Sequence, residues 1–289
     1  MMTQPTGSRI AVAAMVFGAV GLAAPSRSAA GEDPDFKKII DRHAPSIVTV
    51  KFVLKMQFGM MPDNESESEI PGVMIDPKGL VLCANSQLAG PMGMLKRFMP
   101  PGMQMTSEPK DLKVIIGADD EEYDAKIVAR DSDLDLAWIQ IEDAPDKKFA
   151  AADLSKASTP VLGEKLYCVR RLGKLYNRAP AVRVGRVCGV TESPRELYVS
   201  NTELSYSLGL PVFQPSGELA GMVVMQMPEE EEVEGAFNPM SMLGSMGSMM
   251  EMFTGVILPA KQLASATKRV KASYIKELKE LKEKTGKEE

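Results

Sequence analysis

Short apolar runs alternate with turn-forming residues over most of the chain. Residues 47–54 show the clearest two-residue period, because Val48, Val50, Phe52 and Leu54 fall on one face. The same reasoning predicts further strands at residues 73–75, 80–83, 112–116, 123–128, 136–141, 165–169, 182–190, 197–200, 219–227 and 255–258. Many short strands with turn residues between them favour an all-β sandwich or barrel over a fold of alternating strands and helices.

Helices are predicted only before and after this strand-rich region. Residues 35–42 predict a short helix, and residues 260–285 contain no Gly or Pro and consist mostly of helix formers. We therefore expect a charged C-terminal helix or tail over residues 261–289. Its apolar stripe is narrow (Ile275, Leu278 and Leu281), so the helix either packs one edge on the β-region or serves as a partner or membrane-surface helix.

Two long segments, residues 91–109 and 228–254, lack any period and are rich in Met, Pro and Gly. We predict loops there, since long loops are usually functional or irregular. Three interpretations stay open: hydrophobic loops, an adaptable surface for a protein or peptide partner, and paired thioethers that bind copper. The candidate binding residues are Met92, Met94, Met103, Met105, Met240, Met242, Met249 and Met250.

The first residues have the pattern of an export signal. Arg9 precedes an uncharged apolar run at residues 10–24, and the small residues Ala29 and Ala30 follow. The run is shorter than the roughly 20 apolar residues that a membrane helix needs. We expect a signal peptide at residues 1–30 and a periplasmic or secreted protein; an uncleaved anchor is the alternative.

Charge and cysteine content narrow the function further. The formal net charge of −5 argues against a nucleic-acid partner, which usually requires a basic face. Cys168 and Cys188 lie in two predicted strands and are candidates for a disulfide, although all three cysteines are equally compatible with small buried side chains; Cys83 is expected to be buried. The chain has no phosphate loop, zinc spacing or nucleotide signature, so we expect no cofactor and no resident metal.

Six stretches, in order, resemble the HtrA/DegP-like serine proteases. They are GVMIDPKGLVLCANSQLAG at residues 72–90, the DLKVII…RDSDLDLAWIQI stretch at residues 111–141, residues 161–169, residues 182–190, residues 200–222, and GVILPA at residues 255–260. The resemblance implies a trypsin-like fold of two six-stranded antiparallel β-barrels over residues 31–260. It leaves no sequence for the PDZ module that many relatives carry, so none is expected.

The resemblance also places the family's catalytic residues on this sequence. The histidine position falls on Ser86, the aspartate position on Asp135 and the serine position on Leu208. A leucine cannot attack a carbonyl, and a serine hydroxyl is no base near neutral pH. The only histidine, His43, is expected at a surface helix end before the first barrel strand. We therefore predict that no intact catalytic triad remains and that Asp135 accepts hydrogen bonds from Ser86 or from backbone amides.

The loop that forms the oxyanion hole in the family is altered as well. Tyr206 stands where the family has a flexible glycine, and Ser207 and Gly209 lie on either side of Leu208. The leading hypothesis is an exported pseudoprotease that binds a protein or peptide or acts as a scaffold; a homo-oligomer is compatible with it. The alternatives are an active serine endopeptidase that uses Ser205 or Ser207, and a Met-rich copper-binding protein.

Overall fold

Twelve antiparallel strands close into two barrels in the computed structural model, which describes residues 36–58, 64–90, 105–118, 121–142, 148–226 and 255–285. The first barrel has the strand order β1-β2-β3-β6-β5-β4 and the second the order β7-β8-β9-β12-β11-β10, which is the same topology used twice. The predicted fold is thereby confirmed. The strands are β1 (Ile47–Phe58), β2 (Asn64–Asp76), β3 (Leu80–Ala84), β4 (Met105–Ile116), β5 (Glu122–Asp131), β6 (Leu136–Ile141), β7 (Lys165–Arg171), β8 (Pro180–Thr191), β9 (Leu197–Ser200), β10 (Pro211–Phe213), β11 (Leu219–Met225) and β12 (Gly255–Pro259).

Helices are few in the described part of the chain. The α-helices are α1 (Phe36–His43), α2 (Asn85–Leu88), α3 (Thr202–Ser205) and α4 (Ala260–Thr285), and short 3-10 turns lie at Ala44–Ser46 and Lys174–Tyr176. The helix α2 directly follows β3, and α3 directly follows β9. Ser86 lies within α2, and Tyr206 directly follows α3.

The strands of the first barrel have two faces, and each face contributes to a different hydrophobic core. Val48, Val50, Phe52 and Leu54 are buried together inside the first barrel, as their period predicts. The opposite face contributes Ile47, Leu80, Leu82, Leu136 and Trp138 to a second core, which they share with the second barrel and α4. Because β3 is covered on both faces, all of its side chains are buried and its sequence is a continuous apolar run.

The predicted loop at residues 91–109 is wrong at its end, because β4 already begins at Met105. There β1 extends to Phe58, which pairs with Met105, and Leu54 pairs with Pro109. The polar first half of β2 was also not predicted as a strand; it pairs with β1, as in Lys55 with Glu65. In both cases pairing with a neighbouring strand decides the conformation, not the local composition.

The candidate disulfide between Cys168 and Cys188 is not formed, and both thiols are free. The register of the β7–β8 hairpin places Cys168 opposite Arg183. Cys188 lies beyond Arg186, which already pairs with the first residue of β7, Lys165. Cys168 is buried while Cys188 is exposed, so the two side chains are far from facing each other; Cys83 is buried, as expected.

The helix α4 is part of the fold from its first turn. Leu263 and Ala266 are buried in the core shared by the two barrels. The indole Nε1 of Trp138 donates a hydrogen bond to Thr267 Oγ1 at 3.1 Å, and Lys271 forms an ion pair with Asp76 of β2. Ile275, which the sequence placed on the packing stripe, is exposed, and the side chains of Leu278 and Leu281 lie outside the described ones. In the described parts of the chain, no helix combines the length and apolar character that crossing a membrane requires.

Candidate functional site

Asp135 lies directly before β6, between the two barrels, and its side chain is almost completely buried. Its Oδ1 accepts a hydrogen bond from the amide of Ser86 at 2.6 Å. Its Oδ2 accepts one from the Ser86 hydroxyl at 3.0 Å and another from the amide of Met225 at 2.7 Å. Since Ser86 follows the first barrel's β3 and Met225 ends β11 of the second, the carboxylate links both barrels.

The pKa of the Asp135 carboxyl group is raised above its usual value, because the larger of two opposing influences is burial. Burial raises its pKa, because the charged form loses hydration, and the bonds from Met225 and Ser86 act in the opposite direction by favouring the carboxylate. The main chain adds a further contact, from the Asn85 amide to the Asp135 carbonyl at 3.1 Å. The group is thus held as a hydrogen-bond acceptor within the fold.

Ser86, which the sequence resemblance aligns with the family's histidine, lies next to Asp135. Its hydroxyl already donates to the carboxylate. A hydroxyl does not take up a proton near neutral pH, so the Ser86–Asp135 pair offers no general base for a nucleophile.

The segment from Tyr206 to Gly209 lies directly against α2. Gly209 has a φ of 76°, and a Cβ at this residue would lie 2.7 Å from Gln87 Oε1 and 3.1 Å from the Pro71 carbonyl oxygen. Only glycine fits such a conformation at such a close approach. The contact between Gly209 and Gln87 places their neighbours Leu208 and Ser86 in the same region, so the structure brings the three aligned positions together.

The amides of this segment are used inside the turn that ends α3. Tyr206 has a φ of −84°, and its N–H is directed toward the Leu204 carbonyl. The Ser207 amide donates to the same carbonyl at 2.8 Å, and the Gly209 amide donates to the Val223 carbonyl at 2.8 Å. An oxyanion hole needs amides that point toward the substrate. The Tyr206 amide is directed toward the interior of the turn here, and the Tyr206 side chain is 64% exposed.

Neither of the two nearby serines is placed as a nucleophile. The Ser205 hydroxyl donates to the Thr202 carbonyl at 2.9 Å. Ser207 is buried, and its hydroxyl accepts a hydrogen bond from Arg183 at 3.3 Å. A guanidinium stays protonated in proteins and so cannot serve as the base for either hydroxyl.

His43 lies at the end of α1, as predicted, but the expectation of a surface side chain is wrong. It is only 7% exposed, and its ring stacks on Phe213 of β10 with a centroid distance of 3.7 Å. Burial, with a smaller contribution from Arg42, lowers the pKa of the imidazole to about 4. The helix end is covered because α1 packs against the second barrel, a contact that α1's own sequence does not reveal.

A cavity of about 260 Å³ opens beside the Tyr206–Gly209 segment, between the two barrels. The first barrel contributes Thr49, Ile70 and Pro71, and the second contributes Arg170, Arg183 and Leu210 among others. Sequence reasoning missed this cavity. The signal that could have suggested it is the doublet Arg170–Arg171 at the end of one predicted strand, with Arg183 on the next.

The methionines proposed as binding residues lie outside the described residues, apart from the backbone of Met105, the first residue of β4. The described part of the chain contains no group of three or more His, Cys, Asp or Glu residues that could hold a metal ion. Nothing in the described structure therefore bears on the copper hypothesis.

The family model described as "Trypsin-like peptidase domain" matches residues 71–222, which include Ser86, Asp135 and Leu208. No curated protein matches the chain. Among solved structures, the apo MamO protease domain from Magnetospirillum magneticum is similar, with a TM-score of 0.46 and 16% sequence identity over 78% of this chain and 97% of that one.

Proposed function

The chain belongs to the trypsin-like peptidase domain family, and we propose that it is an exported pseudoprotease that binds a protein or peptide partner or serves as a scaffold. One observation carries the proposal: at the aligned catalytic positions, the Asp135 carboxylate is bonded to the hydroxyl of Ser86, and the nucleophile position is Leu208. A peptidase of this type needs an imidazole and a hydroxyl at these two positions.

The proposal of a binding function is supported by what surrounds these residues. The cavity between the barrels is open beside the Tyr206–Gly209 segment, and the Tyr206 side chain is exposed at its edge. Aromatic side chains of this kind often anchor protein partners, because they bury a large area at little cost in conformational entropy. The Met-rich segments at residues 91–109 and 228–254 are proposed to add to this surface.

The first test is hydrolysis of casein by the purified chain, followed by the release of acid-soluble peptides. We expect no turnover above buffer. The matched control is the Ser205→Ala/Ser207→Ala variant, which removes both nearby hydroxyls. Turnover by the wild type that disappears in this variant would overturn the proposal and establish a non-standard serine peptidase.

A second test rebuilds the missing chemistry. The Ser86→His/Leu208→Ser variant supplies a base beside Asp135 and a nucleophile. Because the Tyr206 amide is directed toward the Leu204 carbonyl, we expect casein turnover to increase further when Tyr206→Gly is added. The same variants carrying Asp135→Asn serve as the control, because they lose the carboxylate that orients the histidine. If the rebuilt variants hydrolysed casein and the unmodified chain hydrolysed it equally fast, the proposal would be contradicted.

Export is proposed from the charged and apolar pattern of residues 1–30. The test is fractionation of cells that express the full chain, followed by N-terminal sequencing of the recovered protein. We expect it in the periplasm or medium with a new N-terminus close to Ala30. Intact chain retained in the cytoplasm would contradict export.

A further inference from the structure

Four arginines lie among the sixteen residues that line the cavity between the barrels. Arg170, Arg171, Arg178 and Arg183 line it, and Glu69 is the only acidic residue among the residues that line it. Arg170 and Arg171 end β7, and Arg183 lies on the neighbouring strand β8. The cavity therefore has an excess of positive charge in a chain whose formal net charge is −5.

Two of these arginines are committed to the fold. Arg178 is 3% exposed and forms a bidentate pair with Glu69, with N–O distances of 2.8 and 2.7 Å. Arg171 donates to the backbone carbonyls of Ile47 and Ala44, each at 2.7 Å. Glu69 is thus already paired with Arg178, and Arg171 donates its hydrogen bonds to neutral backbone carbonyls.

The other two arginines lie close together without a compensating acid. Arg183 is opposite Cys168 in the β7–β8 register, and Arg170 follows two residues after Cys168, so both side chains leave the same face of the hairpin. Within the described parts of the chain, neither forms an ion pair; Arg183 donates only to the neutral hydroxyl of Ser207. Burial lowers the pKa of Arg170, and the positive charge of Arg183 lowers it further, as expected for two neighbouring guanidinium groups.

We propose that this cavity is a subsite for the carboxylate side chain of a bound peptide, with Arg170 and Arg183 as its ligands. The inference rests on the proposed peptide-binding function and specifies that the bound peptide carries an acidic side chain. An anion between the two guanidinium groups relieves their repulsion and accepts charge-assisted hydrogen bonds from both.

The walls favour an acidic side chain over a bare inorganic anion. Val48, Ile70, Leu208 and Leu210 line the cavity beside the arginines and offer apolar surface for the methylene groups of a glutamate. The volume of about 260 Å³ lies just below the roughly 300–1,000 Å³ of typical small-molecule sites, so it suits a single side chain. The position beside the Tyr206–Gly209 segment places this side chain where a peptide in the cleft would pass.

The test uses the full chain and two pools of fluorescent dodecapeptides with blocked ends. One pool has a central Glu and the other a central Gln, with Gly, Ala, Ser and Leu randomised elsewhere, so the Glu carboxylate is the only difference. We expect the Glu pool to bind about tenfold more tightly or better at low salt by fluorescence anisotropy, a difference of about 1.4 kcal/mol. High salt should reduce this preference.

Single-residue variants test whether the preference for Glu over Gln arises in the cavity. Arg183→Gln and, separately, Arg170→Gln should each reduce the Glu-over-Gln ratio to near one. Arg186→Gln is the matched control, because Arg186 lies on the same strand but is exposed and does not line the cavity, and it should keep the ratio. Circular dichroism of each variant verifies folding, and either arginine variant alone suffices for the conclusion.

The outcomes separate this inference from the function on which it rests. Equal binding of both pools overturns the carboxylate subsite and leaves peptide binding in place. Binding of neither pool overturns both proposals. A Glu preference that survives both cavity variants also overturns the subsite, because the carboxylate would then bind elsewhere.

Discussion

His43 shows how burial can turn a single histidine into a determinant of acid stability. The folded chain keeps the imidazole unprotonated until the pH falls to about 4, whereas an unfolded histidine takes up its proton near pH 6.5. Between these two pH values the unfolded state binds more protons than the folded state. The free energy of unfolding must therefore fall as the pH is lowered from 6.5 toward 4.

We expect this loss to reach about 3 kcal/mol, since one pKa unit corresponds to about 1.4 kcal/mol. Urea unfolding at several pH values between 4 and 7 measures it. The His43→Phe variant is the control, because a phenyl ring can keep the stacking on Phe213 but has no proton to bind. If both proteins lost stability equally over this range, His43 would not be the group responsible.

Ser86 allows a similar test of the bond to Asp135. In Ser86→Ala the Ser86 amide still donates to Oδ1 and the Met225 amide to Oδ2, but the second donor to Oδ2, the hydroxyl at 3.0 Å, is lost. We expect a loss of about 1 kcal/mol in the free energy of unfolding, as is usual for one hydrogen bond. Ser155→Ala, which removes an exposed hydroxyl bonded to Asp153, is the comparison and should cost less. A Ser86→Ala variant as stable as the wild type would mean that the hydroxyl bond contributes nothing.

At the scale of elements, the docking of α4 can be followed through the only tryptophan in the chain. Trp138 of β6 is 1% exposed and donates its indole N–H to Thr267, which is itself buried. Thr267→Val keeps the volume but removes the acceptor, which leaves a buried donor without a partner. We expect a loss of about 1–3 kcal/mol in the free energy of unfolding.

Tryptophan emission is the specific readout of this variant. A change in the emission of folded Thr267→Val, absent in the control Ser273→Val on an exposed site of the same helix, indicates an altered indole environment. Unchanged emission and stability together would contradict a role of this bond in docking α4.

The same elements show what the sequence could and could not predict. The two-residue period of Val48, Val50, Phe52 and Leu54 predicted β1 because one face of that strand fills a barrel. The first half of β2 and the strand β10 were missed. Residues 64–69 have a burial pattern that is mostly exposed, and their conformation depends on pairing with β1, which local composition does not encode.

The candidate site also contains residues that the sequence could suggest and residues that it could not. Ser86, Asp135 and Leu208 were assigned to catalytic positions from stretches whose order resembles a known family, and the structure shows the predicted bond between Ser86 and Asp135. The cavity could not be placed, because its arginines lie on the β7–β8 hairpin while its opposite wall, which includes Val48 and Pro71, comes from the first barrel and meets them only when both barrels have formed. The contact of His43 with Phe213 joins residues far apart in sequence for the same reason.

At the scale of the whole molecule, the two barrels are joined by polar contacts as well as by their shared core. Arg178, in the segment between β7 and β8, reaches Glu69 on β2 of the first barrel. The guanidinium is buried, whereas the Glu69 side chain is 31% exposed. Removing the acid therefore leaves a buried charge, while removing the arginine leaves a carboxylate that water can still reach.

This asymmetry predicts the order of stability in a double-mutant cycle. We expect Glu69→Gln to lower the free energy of unfolding by about 3 kcal/mol, because breaking a buried pair from one side leaves its partner uncompensated. Arg178→Met should cost less, and the double variant should cost less than the sum of the two single changes. Urea unfolding of the four proteins gives the coupling energy. Additivity within about 0.5 kcal/mol would show that the pair does not couple the barrels, and the junction would then depend on the apolar core around Trp138 and Leu82.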